Sequence, residues 1–347
     1  MLENKGAGVA ESRLTRISLV IIVLFITGII LKIARPVLLP FLVALFISYA
    51  VSPLLDWLIK LRVPKLLAIT SILILTFSLL YLFGLLVYSS GKYFASEFPK
   101  YNRQVDSLMA ELIAWLEHLP FKVSVPTIIS QLNIEKLTGF LLGTLGSFLT
   151  FLGKLLVVFV FVIFILAGRD KLPARIAAAL AEDRALYVNR MVASINRQIQ
   201  KYLAVKTVVS LLTGLLATCI LLIFGVDFAL LLGFLTFILN YIPSLGSIIA
   251  TVLAVLIAFF QFGNSLVPVW VLILLGLVQT AIGNFLDPKL MGRSLDLSPL
   301  LVIFALIFWG WLWGIAGMFL AVPLLAVVKI VFENVPSLKF LAVLMSK

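Results

Sequence analysis

Residues 228–286 contain no aspartate, glutamate, lysine or arginine, and this uncharged stretch constrains the fold more than any other feature. A helix from Asp227 to Tyr241 would reach roughly 21 Å, which is short of the ~30 Å hydrocarbon core of a bilayer. Pro243 cannot continue a helix, and Gly246 tolerates backbone angles that other residues avoid. Residues 227–262 are therefore predicted to form a helical hairpin that enters the bilayer, breaks and turns back.

Two full spanning helices with a tight turn at Pro243 are the alternative for this segment. The re-entrant course has a functional consequence, because broken backbone at membrane depth persists only where protein or a watery cavity satisfies its polar groups. Discontinuous helices of this kind form solute sites in transporters. The tip residues Asn240, Pro243, Ser244 and Gly246 are therefore candidates for a substrate or ion pathway.

The composition indicates an integral membrane protein. Of the 347 residues, 63% are hydrophobic and 12% are charged, which is about half the charge of an ordinary soluble domain. Because the alternation typical of barrel strands is absent, we predict an all-α polytopic protein with about six full transmembrane helices and two re-entrant or tight hairpins. A second uncharged run, residues 297–328, is interrupted by glycines and supplies the second hairpin.

The uncharged runs and the charged segments between them predict the domain organisation. The first three spans are followed by an amphipathic segment outside the cytoplasm, a fourth span, cytoplasmic basic interfacial helices and a transport core. Their predicted limits are, in order, residues 1–90, 91–138, 139–168, 169–206 and 207–347, and the core contains hairpins at 227–262 and 297–333.

The segment 169–206 carries eight basic and three acidic residues. At helical spacing, Arg190, Arg197 and Lys201 share one face, and apolar residues such as Ile199 mark the other. Basic amphipathic helices lie along anionic lipid, so these three side chains are predicted to contact lipid head groups.

The distribution of basic residues predicts the orientation of the chain. With both termini and the segments 60–65, 169–206 and 287–296 in the cytoplasm, most of the 27 basic residues lie on the cytoplasmic side, as the positive-inside rule requires. Residues 92–138 then lie outside. In this topology the halves 203–262 and 264–333 are related by an inverted repeat, an arrangement typical of alternating-access transporters.

A few polar side chains interrupt the apolar half of the chain. Asn240 and Ser244 at the tip, with Gln279 and Asn284 on the following span, are predicted either to line a polar cavity or to form hydrogen bonds between helices. Amide, hydroxyl and carbonyl oxygens suit a monovalent cation or a polyhydroxylated solute. Asp287 is the acid nearest this site that could carry a proton or ion, and a solvated residue at a helix end is the alternative. Arg293 is a candidate partner for Asp287 or Asp296, or for lipid head groups.

The sequence argues against other functional classes. One histidine and one cysteine do not supply a metal or thiol catalytic set, so no metal, cofactor or enzymatic activity is predicted. Without a phosphate-binding loop, any active transport would draw on an ion gradient or a partner. The net charge of +12 is attributed to cytoplasmic loops beside anionic lipid rather than to nucleic-acid binding. A membrane scaffold without flux remains an alternative.

One set of motifs carries a family resemblance. Asn284-x3-Pro288-x3-Gly292-x6-Pro299 follows the Pro243-x2-Gly246 tip. It is continued by Phe308-Trp309-Gly310-x3-Gly314-x2-Gly317, then by Ala321-Val322-Pro323 and Lys329. These motifs, over about 240–330, closely resemble the autoinducer-2 exporter family of bacterial membrane proteins, and the span pattern matches over the whole chain.

The resemblance implies a multi-pass transporter of the bacterial cell membrane that forms a homo-oligomer, with a pentamer as the implied state. It adds Gly314 and Gly317 of the second hairpin to the expected pathway residues. Family members are linked to export of the quorum-sensing signal autoinducer-2 or to sodium/proton antiport, and the resemblance does not choose between the two.

Overall fold

The computed structural model describes residues 4–117, 153, 155–263, 265–291 and 296–346. Regular secondary structure in these residues is helical, and six helices are long and apolar enough to cross a membrane. The prediction of an all-α polytopic membrane protein is confirmed. The chain forms two compact units, residues 1–46 with 296–347, and residues 47–295.

The described residues form the following helices. In chain order they are α1 (Asn4–Ile33), α2 (Arg35–Lys60), α3 (Lys65–Glu117), α4 (residues 155–168), α5 (Leu172–Ala179), α6 (Glu182–Ile223), α7 (Ala229–Leu239), α8 (Leu245–Phe262), α9 (Val267–Ala281), a π-helical turn (Ile282–Leu286), α10 (Asp287–Met291), α11 (Pro299–Trp313), α12 (Ile315–Asn334) and α13 (Lys339–Met345).

The predicted boundary at residue 206, between the basic segment and the fifth span, falls inside a helix and stays a prediction. The basic segment from Glu182 and the apolar run that follows form the single 42-residue helix α6. Such a helix is about 63 Å long, twice the thickness of the hydrocarbon core. No proline or glycine lies between the two parts before Gly214, so nothing in the chain stops the helix at the membrane surface.

The predicted boundary at residue 90 also falls inside a helix and likewise stays a prediction. The third span continues without a break into the amphipathic segment, and together they form α3, a helix of 53 residues. The remainder of that segment to residue 138, the beginning of the fourth span at 139, and Arg293 lie outside the described residues.

Small residues bring α6 and α7 together in the larger unit. A Cβ atom on Gly214 would lie 2.8 Å from the carbonyl oxygen of Gly233 and 2.8 Å from the Cβ of Phe237. The glycines therefore let the two backbones approach closely, which is how helices pack where lipid supplies no hydrophobic force between them. A buried cluster that includes Ala217, Leu221, Leu232, Ala258 and Leu275 continues the packing into α8 and α9.

The smaller unit packs α1 against the hairpin of α11 and α12. Trp313 is 1% exposed, and its indole N–H donates to the carbonyl oxygen of Leu31 over 3.1 Å. Lys32 lies over the ring of Trp311, 5.0 Å from its centroid. These aromatic contacts attach the first helix of the chain to the last hairpin, which are far apart in the sequence.

Candidate functional site

The first hairpin breaks at residues 240–244, around Pro243. Helix α7 ends at Leu239 after 11 residues, and α8 begins at Leu245. Ser244 turns the chain with φ +60°. Helical hydrogen bonds resume directly after this break, with the Gly246 N–H donating to the carbonyl of Ile242 over 3.1 Å.

The limb lengths bear on the predicted re-entrant course. At about 1.5 Å per residue, α7 spans only about 16 Å and cannot cross the hydrocarbon core alone. Helix α8, with 18 residues, is long enough to count among the six candidate spans. The hairpin is thus asymmetric, with one short and one long limb, and its course through the bilayer stays a prediction.

Gly246 lies where the two limbs touch. A Cβ atom at this position would overlap the carbonyl oxygen of Leu239, the last residue of α7. Any side chain here would have to displace backbone rather than a flexible neighbour. The closeness of the limbs at the tip therefore depends on this glycine.

The polar side chains of the tip contact α6. The Asn240 amide donates to the hydroxyl of Ser210 over 3.1 Å, and the hydroxyls of Tyr241 and Thr207 share a hydrogen bond of 2.7 Å. Ser210 is fully buried. The tip is thus fixed to one face of α6 by two hydrogen bonds in apolar surroundings.

An ion pair lies one helical turn along α6 from these contacts. The Lys206 ammonium donates to Asp287 Oδ2 over 2.9 Å, and the two side chains are 5% and 18% exposed. Asp287 Oδ1 is buried without a hydrogen-bond partner among the described residues. The structure therefore pairs Asp287 with a lysine of α6, and Arg293, the predicted candidate partner, lies outside the described residues.

Asp287 follows a π-helical turn, Ile282–Leu286, at the end of α9. Pro288 explains this turn, since its ring has no N–H to donate and would clash with the carbonyl four residues earlier in an α-helix. The Asp287 N–H reaches the carbonyl of Ile282, five residues back. Single π-helical turns are rare and often occur at functional sites.

Gln279 and Asn284 lie on α9 and on the turn that follows it. Gln279 is half-buried and Asn284 is exposed on the π-helical turn. The described side-chain hydrogen bonds of the tip run to Ser210 and Thr207 on α6. A polar cavity that the tip would share with Gln279 and Asn284 stays a prediction.

The second hairpin, in the smaller unit, repeats the close approach of the first. Gly314 separates α11 from α12 with φ +70°, and a Cβ on Gly317 would overlap the carbonyl oxygen of Trp309. The predicted break within residues 310–317 is thus a single residue, Gly314. Gly314 and Gly317 act in the turn and in limb packing.

The basic residues of α6 lie on an exposed face, and their contact with lipid stays a prediction. Arg190, Arg197 and Lys201 are exposed, whereas Ile199 and Leu203 are buried. The two faces of this part of α6 therefore differ in the way the helical spacing predicts.

Four members of the site are absent from the residues predicted from the sequence: Lys206, Thr207, Ser210 and Tyr241. Lys206 was counted among the basic residues of the interfacial segment. Its spacing, however, continues the buried stripe of Ile199 and Leu203 at three- and four-residue steps, and Ser210 and Thr213 extend the stripe. A lysine and two hydroxyl residues on the buried face of a helix were the signal that could have identified the cluster.

The cluster offers two kinds of chemistry. The amide and hydroxyl groups of the tip donate and accept hydrogen bonds, so they suit neutral polar solutes. The carboxylate of Asp287 and the ammonium of Lys206 respond to protons and cations. Both kinds of group lie along a single face of α6.

The chain is similar to a family and to individual proteins that are named for transport. Residues 19–337 match the family described as AI-2E family transporter. The AI-2 transport protein TqsA of Escherichia coli (strain K12) is 32% identical over 95% of this chain and 94% of its own length. A putative transport protein of Borreliella burgdorferi is 32% identical over 94% of this chain and 88% of its own length. A putative transport protein of Haemophilus influenzae is 31% identical over 93% of this chain and 93% of its own length.

The family match covers nearly the whole chain and includes both hairpins, the π-helical turn and the ion pair between Lys206 and Asp287. From its helical membrane fold and this match, the chain is a membrane transporter that belongs to the AI-2E family.

Proposed function

We propose that this transporter moves a small, hydroxylated polar solute of the autoinducer-2 kind past the tip of the first hairpin. The observation that carries the proposal is the convergence of three polar pairs on one face of α6. They are Asn240 with Ser210, Tyr241 with Thr207, and Asp287 with Lys206. Polar groups in apolar surroundings are costly, so their concentration at one place favours a pathway over packing alone.

The solute class follows from the donors and acceptors at the tip and from the printed name of one relative. Amide and hydroxyl side chains recognise hydroxyl groups without requiring a charge on the solute. The TqsA relative is named for transport of AI-2. The proposed pathway residues are those predicted from the sequence, with Lys206, Thr207, Ser210 and Tyr241 added.

Gradient-driven alternating access is the proposed mode of transport, without catalysis. A parallel between the hairpins supports the underlying inverted repeat. In the first, the Gln261 side chain, late in α8, accepts from the Asp227 N–H over 2.7 Å. In the second, Lys329, late in α12, donates to the carbonyl of Asp296 over 2.6 Å. Each hairpin thus ties the end of its long limb to an aspartate before its short limb.

The test is efflux from liposomes that contain the purified full-length protein and are loaded with autoinducer-2. Efflux that depends on the protein and is lost in a variant with Asn240→Leu and Tyr241→Phe supports the proposal. Asn189→Leu, a polar residue of α6 outside the cluster, is the matched control and should leave efflux unchanged. Equal release of autoinducer-2 from loaded liposomes with and without the protein would reject the proposed solute class.

Sodium/proton antiport is the second candidate function. The observation that favours it is Asp287, a mostly buried carboxylate whose Oδ1 has no described partner. Sodium uptake into the same liposomes, driven by an outward proton gradient, tests this function separately. Uptake without autoinducer-2 efflux would make antiport the primary activity.

We also propose the membrane setting that the charge distribution predicts. Both termini and the basic part of α6 face the cytoplasm of a bacterial cell, and α3 carries its amphipathic end to the other side. The proposed assembly is a homo-oligomer, with a pentamer expected. In a Cys219→Ser background, a cysteine introduced at Asp183 should be labelled only after the inner membrane is permeabilised, and the mass of the detergent-solubilised assembly should be five times that of the chain.

A further inference from the structure

Lys206 and Lys329 are the charged residues that are buried in the described part of the chain. Both side chains are 5% exposed, yet their surroundings differ. Lys329 donates to the backbone carbonyl of Asp296 and contacts two carboxylates, those of Asp296 at 3.3 Å and Glu333 at 3.6 Å. Lys329 is therefore held by several groups, as a structural buried charge must be.

Lys206 has fewer described polar partners than Lys329. Its one described hydrogen bond goes to Asp287 Oδ2, although an ammonium has three N–H donors. Asp287 in turn has a buried Oδ1 with no described partner. A buried ion pair is favourable only when its remaining donors and acceptors are also satisfied. Among the described residues, the pair between Lys206 and Asp287 thus lacks partners on both sides.

We propose that Lys206 is a built-in cation that competes with a monovalent cation, H⁺ or Na⁺, for the carboxylate of Asp287. This inference rests on the proposed function and identifies its coupling site. The structure shows the state in which Lys206 occupies the carboxylate. In the other state, the proton or Na⁺ occupies Asp287 and Lys206 is released.

The charged residues around the pair allow Asp287 to bind only one cation at a time. No acidic residue lies in the uncharged stretch 228–286 that includes α7 to α9. The hydroxyl of Tyr202 on α6 interacts electrostatically with Asp287 and with Tyr241 of the tip, and the neighbouring Lys201 and Lys289 are exposed. One carboxylate therefore serves one cation, and a second cation beside the ammonium would be repelled.

Release of Lys206 leads to a change of conformation. A buried ammonium without a counter-charge is strongly unfavourable, so Lys206 must move towards water when Asp287 is neutralised. It lies four residues from Ser210 and next to Thr207, the two residues that bind the hairpin tip. Binding of the cation at Asp287 thereby loosens the tip, which connects the ion gradient to the solute pathway.

The experiment uses the purified full-length protein in detergent and measures its melting temperature. One series varies NaCl against choline chloride at constant ionic strength, and a second varies pH without Na⁺. A cation that binds only the folded protein raises the melting temperature. Lys206→Gln, which removes the competitor, should lower the half-effective Na⁺ concentration by about tenfold or more. Asp287→Asn should abolish the Na⁺ effect.

Lys201→Gln, an exposed lysine of the same helix, is the matched control and should behave as wild type. Lys206→Arg keeps the competing charge and binds carboxylates with a fork of donors, so it should raise the half-effective concentration. If Lys206→Gln does not fold, the change in half-effective Na⁺ concentration in Lys206→Arg tests the proposal. If Na⁺ has no effect on the wild type, a pH profile that differs in Asp287→Asn but not in Lys201→Gln supports H⁺ as the cation.

The proposal is overturned if neither Lys206 variant shifts either profile more than Lys201→Gln does, or if Asp287→Asn keeps the wild-type dependence on both cations. Failure of the proposed function and failure of the coupling site give different results. Loss of autoinducer-2 efflux with the cation effects intact rejects the solute and leaves the coupling site. Efflux that is independent of both cations rejects the coupling site and leaves the solute.

Discussion

Gly246 packs directly against the carbonyl oxygen of Leu239, so that the limbs of the first hairpin meet with no side chain between them. Gly317 and Trp309 make the corresponding contact in the second hairpin. In both, the glycine lies early in the long limb and the carbonyl late in the short limb. This repeated contact sets how tightly each hairpin closes.

Gly246→Ala is expected to lower the free energy of unfolding by about 1–3 kcal/mol, because its methyl group must displace backbone. Gly276→Ala is the control, since a Cβ there meets nothing within 4 Å. In a helix interior it should stabilise by up to about 1 kcal/mol. Denaturant unfolding of the detergent-solubilised variants measures both values. Equal stability of the two variants would contradict the importance of the close approach.

Removal of either partner between the tip and α6 should weaken the hairpin's attachment. Asn240→Leu and Ser210→Ala are each expected to cost about 0.5–2 kcal/mol, the range for hydrogen bonds between membrane helices. The double variant should cost less than the sum, because both changes break the same bond. Strict additivity in this double-mutant cycle would show that the contact contributes nothing. Asn284→Leu, at an exposed site, should leave stability unchanged.

Lys329→Met is expected to destabilise the smaller unit by about 2 kcal/mol or more, because it leaves the carbonyl of Asp296 without its described lysine donor. Lys339→Met, at an exposed lysine, provides the control. The comparison is made by thermal unfolding at one pH and salt concentration. Similar melting temperatures for the two variants would show that the multiple contacts of Lys329 are not stabilising.

A surface ion pair should make stability depend on acid pH. The hydrogen bond from Lys65 to Asp170, at 2.6 Å, lowers the pKa of that carboxyl below its ordinary value of 3.8. A carboxyl whose pKa is lowered on folding stabilises the protein above its ordinary pKa, and this contribution is lost as pH falls through the folded pKa. Unfolding measured between pH 5 and 3 should therefore depend on pH less steeply in Asp170→Asn than in the exposed control Asp183→Asn.

The exposed basic face of α6 should hold this helix at anionic lipid. Replacement of Arg190, Arg197 and Lys201 with Gln is expected to weaken association with acidic bilayers by roughly 1 kcal/mol per charge at low salt. The protein is reconstituted with increasing fractions of anionic lipid, and quenching of a fluorophore on α6 reports the contact. An unchanged lipid dependence would leave these residues as determinants of orientation alone.

The sequence by itself determined the class of fold and the helix breaks at Pro243 and Gly314. An uncharged run with Pro243 in its middle has few solutions in a bilayer, because a helix is needed to satisfy the backbone and proline ends it. The faces of α6 followed from periodicity, as Arg190 and Ile199 illustrate. Such features depend on neighbours within a few residues of the chain, and local chemistry fixes them.

The tertiary structure alone decided which polar groups meet. Asn240 was expected beside Gln279 and Asn284, and its described side-chain hydrogen bond goes to Ser210, 30 residues earlier. Lys206 was counted with the surface charges, but it lies buried against Asp287, 81 residues later. Partners at such separations depend on how α6, the tip and the π-helical turn pack together. That packing is set by the fit of small residues such as Gly214 and Gly233, whose contacts no pattern within a single helix contains.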